Sequence, residues 1–140
     1  PKNQRQIDFI KSSNEYKEGN ILFLSGLSDG VIINLQDYAS AYIMPSLSEG
    51  MGLGLVEATS RNTPVICSNI EFMQKVMGDG AIYFDPEDSV DISKKLVQFT
   101  NLTSNQRNIL VDKATAKTKD YRWENTAIEI YESILNQEIF

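Results

Sequence analysis

The stretch from Pro45 to Ala58 is PSLSEGMGLGLVEA, and it decides the fold of this chain. The apolar run of residues 41–44 ends just before it, and a helical pattern begins inside it. A strand, a glycine-rich loop and a helix start therefore follow one another, as they do where α/β proteins bind ligands. Because the first N–H groups of a helix have no intrahelical partners, they point towards such a loop.

Two carboxylates, Glu49 and Glu57, bracket this loop and stand eight residues apart. Gly50, Gly52 and Gly54 let the backbone approach a ligand closely, and the helix start favours an anion such as a diphosphate. A carboxylate repels phosphate, whereas a hydroxyl donates a hydrogen bond to it. The pattern therefore predicts a ligand with phosphate in the middle and hydroxyl groups at both ends, which is the shape of a nucleotide sugar.

Composition limits the other possibilities. The chain has 140 residues, 41% of them hydrophobic, which is enough for one domain with a buried core. The net charge of −6 argues against a nucleic-acid partner, and no apolar run approaches the ~20 residues of a membrane span. Histidine is absent, which excludes a Ser-His triad or a His-based metal site within this chain. The single cysteine, Cys67, follows an apolar run and is expected to be a small core residue.

Short apolar runs alternate with helical patterns over the first two thirds of the chain. Each run lacks polar alternation, as expected of strands that are covered on both faces. The predicted strands are residues 21–24, 41–44, 64–67 and 81–84, and the predicted helices are residues 7–16, 31–39, 53–61 and 71–77. The expected fold is α/β, with a Rossmann-like, mostly parallel sheet of about four strands and flanking helices.

The last third is predicted to be a helical tail. The turn DPED at residues 85–88 ends in a helix N-cap, and Thr103 with Gln106 forms a capping box. Capping also explains the acidic residues there, so no metal site is expected. The final helix has an apolar stripe, and Trp123 and Tyr131 within it are expected to pack in the core.

The loop and its helix resemble a known signature. Residues 48–58, SEGMGLGLVEA, are similar to the glutamate-x7-glutamate signature of retaining glycosyltransferases with the GT-B fold, especially glycosyltransferase family 4. Four further segments resemble this family in the same order: FLSGLSD (23–29), NTPVICS (62–68), GDG with DPED (78–80 and 85–88), and RWE (122–124). Matches from about residue 20 to 137 are far more specific than a lone Gly-x-Gly.

The resemblance implies a role for each signature residue. Glu49 would be the catalytic carboxylate, next to the donor sugar, and Glu57 would hold the ribose. Gly26 and Leu27 would lie near the nucleotide base. The residues that cradle the sugar and the diphosphate would be Gly50, Met51, Gly52 and Leu53.

The resemblance also implies the reaction and the setting. A hexosyl unit would move from a nucleoside diphosphate to an acceptor hydroxyl with retention of configuration, in polysaccharide or glycoconjugate biosynthesis, without a metal or other cofactor. Residues 1–140 would form one N-terminally truncated donor-binding domain, a partial GT-B C-terminal domain. The acceptor-binding N-terminal domain and a basic pair facing the diphosphate would be missing, so the isolated chain is expected to be inactive. The expected location is cytoplasmic. Only the missing part of the protein would contact the inner face of a membrane.

Several positions depart from the family pattern. Gly54 stands where the family often has Pro, and Gln74-Lys75 stands where it commonly has Pro-Glu. Asn62 replaces a Gly after the helix, a mild change because Asn tolerates the left-handed conformation. Two alternatives stay open: a nucleotide-sugar epimerase with the GT-B fold, and a non-catalytic relic that binds a sugar or a partner. A dinucleotide-binding Rossmann domain is disfavoured because position 55, where the third glycine would stand, is Leu.

Overall fold

The computed structural model describes residues 4–135. They fall into two compact units that divide between Ile32 and Ile33. The first unit holds helices α1 (Gln4–Ser12) and α2 (Asn14–Lys17), and helix α3 (Asp29–Tyr38) begins in it. The single helix predicted over residues 7–16 is broken at Ser13, whose hydroxyl caps α2 by accepting a hydrogen bond from the Tyr16 N–H.

The strand predicted at residues 21–24 is wrong, because this segment has no regular secondary structure. The side chains of Leu22, Phe23 and Leu24 are 71%, 45% and 54% exposed. A strand needs a neighbour for its backbone hydrogen bonds, and the strands that the structure describes over residues 4–135 pair only with one another. The sheet therefore has three strands in this part of the chain rather than the expected four.

The second unit contains the parallel sheet. Its three strands lie side by side in chain order, with Ile66 on the central strand paired to Ile43 on one side and Ile82 on the other. This confirms the expected α/β class with a parallel sheet. The remaining elements are β1 (Tyr42–Met44), α4 (Leu53–Ser60), β2 (Val65–Ser68), α5 (Glu71–Met77), a 3₁₀ turn (Gly78–Gly80), β3 (Ala81–Phe84), α6 (Ser89–Thr100), α7 (Ser104–Thr118) and α8 (Trp123–Leu135).

Strand β2 is buried along its whole length and separates two apolar clusters. Val65 and Cys67 belong to a cluster that includes residues of α4, α5 and α7, whereas Ile66 packs with Phe84 and with Phe99 of α6. Successive strand residues point to opposite faces, so helices cover both faces of the sheet. This confirms that β2 is covered on both faces and that Cys67 is a core residue, whereas β1 at the edge of the sheet has Ile43 45% exposed.

The predicted starts of helices α6 and α7 are confirmed. The Asp88 carboxylate accepts hydrogen bonds from the N–H groups of Val90 and Asp91, at 2.8 and 3.2 Å. Thr103 and Gln106 form the expected capping box at the start of α7. Satisfying these unpaired N–H groups fixes where each helix begins.

Helix α8 differs from the prediction. It is a helix, but none of its residues is buried, and the side chains of Trp123 and Tyr131 are 69% and 63% exposed. The prediction that these two residues pack in the core is therefore wrong for the part of the chain that the structure describes. An amphipathic pattern predicts an apolar face but does not say which surface covers it. Among the described helices, none has the length and apolar character needed to cross a membrane.

Candidate functional site

The loop between β1 and α4 carries the candidate site. Gly52 is the N-cap residue of α4, with φ +59° in the left-handed region, and no side chain caps this helix. A residue with a Cβ rarely adopts this conformation. The first backbone N–H groups of α4, at Leu53 and Gly54, therefore have no side-chain partner here, in contrast to the capped starts of α6 and α7.

The three glycines of the loop differ in what surrounds them. A Cβ on Gly52 would stand 2.8 Å from the ring of Phe72, and a Cβ on Gly54 would collide with the hydroxyl of Tyr42. A Cβ on Gly50 would meet nothing within 4 Å, and Gly50 is exposed. Two of the glycines are thus approached by the protein's own side chains, and Gly50 alone of the three offers open space to a ligand.

Glu49 lines a cavity of about 430 Å³. One wall is the part of the loop after β1 from Leu47 to Glu49, and the other is formed by α5, from Glu71 in its first turn to Lys75 in its last turn. These segments follow the carboxyl ends of β1 and β2, which pair in parallel. The cavity therefore lies where open parallel sheets bind their ligands.

Glu57 lines a different cavity, of about 290 Å³. Met51 and Leu53 of the loop also line it, together with Arg122 and Trp123 at the start of α8. The structure thus brings Glu57 together with Met51 and Leu53, whereas Glu49 lines the other cavity. The loop contributes Leu47 to Glu49 to one cavity, and Met51 and Leu53 to the other.

One tyrosine lies within electrostatic reach of both carboxylates. The pKa of Tyr42 is raised above its ordinary value, first by burial, then by the negative charge of Glu57 and then by that of Glu49. The phenol therefore stays protonated in the neutral range. The structure places both carboxylates near this one side chain on β1, although they open into separate cavities.

Comparison with known proteins identifies the family. The family described as "Glycosyl transferases group 1" matches residues 7–117. The chain belongs to this family. The O-antigen chain mannosyltransferase B of Escherichia coli is 35% identical over 109 residues, which cover 78% of this chain and 28% of the relative. A serotype-specific mannosyltransferase of Escherichia coli is 27% identical over 127 residues, covering 91% of this chain and 16% of the relative.

A solved structure shows the same fold. Sucrose-phosphate synthase from Thermosynechococcus elongatus aligns with a TM-score of 0.77 and 20% identity, covering 95% of this chain and 34% of the synthase chain. This likeness confirms the GT-B-type α/β fold. The group 1 glycosyltransferase chain therefore spans about a third or less of the length of each of these proteins.

Two basic residues of this glycosyltransferase chain line the cavities and were missed by sequence reasoning. Lys75 shares the cavity of Glu49, and Arg122 shares that of Glu57. Both lie far along the sequence from the loop, so no basic cluster is visible there. The sequence contained one signal for Lys75. The pair Gln74-Lys75 stands where the family commonly has Pro-Glu, so that a cationic side chain replaces a carboxylate.

The remaining predicted site residues, Gly26 and Leu27, lie in the first compact unit. Gly26 has φ +64°, which suits glycine, and Leu27 is half-buried. The loop with Glu49 and Glu57 lies in the second unit. The role of Gly26 and Leu27 near a nucleotide base stays a prediction.

Proposed function

We propose that this chain is the donor-binding part of a retaining glycosyltransferase that moves a hexosyl unit from a nucleoside diphosphate to an acceptor hydroxyl. Family membership supports glycosyl transfer, and the names of two relatives, both mannosyltransferases, support a hexosyl unit. The observation that carries the proposal is the position of Glu49. Its carboxylate lines a cavity at the carboxyl ends of two parallel strands, directly before an uncapped helix start.

The loop has the parts that such a donor needs. The open space at Gly50 lets a diphosphate approach the backbone, and the N–H groups of Leu53 and Gly54 donate hydrogen bonds to it. Glu49 accepts hydrogen bonds from hydroxyl groups of the sugar, and Glu57 accepts them from the ribose. The same loop lines both cavities, with Glu49 in one and with Met51 and Leu53 beside Glu57 in the other, so a donor that follows the loop reaches both carboxylates.

The reaction breaks the bond between the anomeric carbon and the diphosphate oxygen and forms a bond from that carbon to the acceptor oxygen. The diphosphate leaves with the electron pair and takes up the proton that the acceptor hydroxyl loses. Negative charge grows on the leaving diphosphate, and the backbone N–H groups of the loop stabilise it there. Positive charge grows on the sugar, and the nearby Glu49 carboxylate stabilises that charge.

The chain acts as part of a longer enzyme in this proposal. The relatives are several times longer, and their additional length leaves room for the acceptor site and for further groups that bind the diphosphate. The isolated 140 residues are therefore expected to show no turnover. The enzyme works in the cytoplasm, and any contact with the inner face of a membrane is made by the additional part.

The test is a turnover assay of the full-length enzyme with nucleoside diphosphate hexoses, following release of the nucleoside diphosphate. We expect Glu49→Gln to lower kcat by about 100-fold or more, because it removes the charge that stabilises the sugar cation. The matched control, Glu15→Gln, removes an exposed carboxylate of α2 and is expected to leave kcat unchanged. Equal kcat values for the Glu49→Gln variant and the wild type would contradict the role of Glu49.

A further inference from the structure

The cavity of Glu49 contains one basic residue, Lys75. Lys75 lies on α5, and three other residues of this helix, Met73, Val76 and Met77, are no more than 1% exposed. Their burial anchors α5 against the sheet, which fixes the backbone position of Lys75. The Lys75 side chain itself is exposed and opens into the cavity.

The ammonium group of Lys75 is free to bind a ligand. Over residues 4–135, the ion pair that the structure contains joins Arg61 to Asp37 at 3.1 Å, and Lys75 has no carboxylate within 4.0 Å. An ammonium offers three N–H donors and no acceptor, whereas an ionised carboxylate such as Glu49 only accepts. The cavity therefore presents both of the partners that the hydroxyl groups of a sugar need.

The charge of the cavity indicates the kind of sugar. Glu49 and Glu71 contribute two carboxylates, and Lys75 contributes one ammonium, so the formal charge of the lining is negative. A sugar with its own carboxylate would meet net repulsion here. A neutral hexosyl group meets none, and it can satisfy Lys75 and Glu49 together through its hydroxyl groups.

We propose that Lys75 is a specificity-determining residue that donates a hydrogen bond to an oxygen of a neutral hexosyl group in the donor, while Glu49 accepts one from a hydroxyl of the same sugar. This inference rests on the proposed function. It gives a role to the Gln74-Lys75 pair, at which the chain departs from the pattern of its family. Lys75 acts on the sugar rather than on the ribose, because Glu57 and the ribose it would bind belong to the other cavity.

The experiment compares two kinds of probe on the full-length protein by calorimetry. The first kind is the free nucleoside diphosphate of uridine, guanosine or adenosine, and the second is the glucose or mannose ester of the same diphosphate. For Lys75→Met, we expect the affinity for the sugar ester to fall tenfold or more, about 1.4 kcal/mol, and the affinity for the free diphosphate to change less than twofold. The control Lys94→Met removes an exposed ammonium of α6 and is expected to change neither affinity.

Each other outcome overturns a distinct part of this account. If Lys75→Met lowered the affinity for both probes equally, Lys75 would bind the diphosphate rather than the sugar. If it lowered neither affinity, Lys75 would have no part in donor binding. The glucuronate ester of the same diphosphate serves as a third probe, and tighter wild-type binding of it than of the neutral ester would contradict the specificity for a neutral sugar. If the wild type bound neither probe, the proposed function itself would fail, whereas a failure of Lys75 alone leaves wild-type binding intact.

Discussion

The hydroxyl of Tyr42 occupies the space that a Cβ atom on Gly54 would need. Tyr42 opens strand β1, and Gly54 lies in the first turn of α4, so this contact sets the distance between the strand and the helix that carries Glu57. Glycine in a helix costs up to about 1 kcal/mol relative to Ala. Here the packing of Tyr42 explains why this chain keeps Gly54 where its family often has Pro.

Gly54→Ala is expected to destabilise the protein. The added methyl group forces the Tyr42 ring away from α4, and such overpacking costs roughly 1–3 kcal/mol despite the better helix propensity of Ala. Denaturant unfolding measures the effect. Tyr42→Phe in the same chain removes the hydroxyl and is expected to recover part of the loss, which a double-mutant cycle detects.

Gly50→Ala is the matched control for this prediction. A Cβ at Gly50 meets nothing within 4 Å, and its φ is not in the left-handed region. Its free energy of unfolding should therefore stay within about 0.5 kcal/mol of the wild type. A Gly54→Ala variant as stable as Gly50→Ala would contradict the packing role of Tyr42.

Cys67 is expected to make the stability depend on pH above 9. Burial raises the pKa of its thiol from an ordinary 9.0 to about 12. Above pH 9 the unfolded chain loses this proton and the folded chain keeps it, so the stability present below pH 9 declines as pH rises towards 12. The slope from this one group is at most about 1.4 kcal/mol per pH unit.

Cys67→Ala isolates this contribution. The variant loses some packing at every pH, but its free energy of unfolding should fall less steeply between pH 9 and 10.5 than that of the wild type. The neighbouring Tyr83 is present in both proteins, and its pKa is raised mainly by burial and then by Cys67 and Asp79, so the variant removes the smaller contribution of Cys67 along with the thiol. Parallel curves for the two proteins would contradict the raised pKa of Cys67.

Thr103→Ala is expected to cost about 1 kcal/mol of stability. The Thr103 hydroxyl accepts a hydrogen bond from the Gln106 N–H, and the Gln106 side chain accepts one from the Thr103 N–H. The substitution breaks the first of these bonds and leaves an N–H of α7 unpaired. Ser104→Ala, at the next exposed position, keeps the capping box and should be nearly neutral; equal effects of the two changes would refute the capping role.

Local signals in the sequence predicted most of the fold. The three strands, the caps at Asp88 and Thr103 and the left-handed Asn62, with φ +60°, follow from apolar runs and short-range backbone chemistry. The predictions of a fourth strand and of a buried Trp123 were wrong for the same reason. An apolar residue shows that a surface is to be covered, but a segment pairs or packs only where a partner surface lies against it.

The sequence predicted the loop of the site but not its walls. Glu49, Glu57 and the glycines are neighbours in the chain, so their spacing alone indicates a ligand loop. The two cavities depend on distant elements, namely α5 for Glu49 and the start of α8 for Glu57. Folding brings Lys75 and Arg122 to the cavities, and no local sequence pattern indicates that they lie near the loop.

The most direct test of the donor site is calorimetry of the full-length protein with the diphosphates of uridine, guanosine and adenosine. We predict that one of them binds, that Glu57→Ala weakens this binding tenfold or more, about 1.4 kcal/mol, and that Glu15→Ala leaves it unchanged. The nucleoside that binds identifies the base of the donor. The account is contradicted if none of the three binds, or if Glu57→Ala binds as tightly as the wild type.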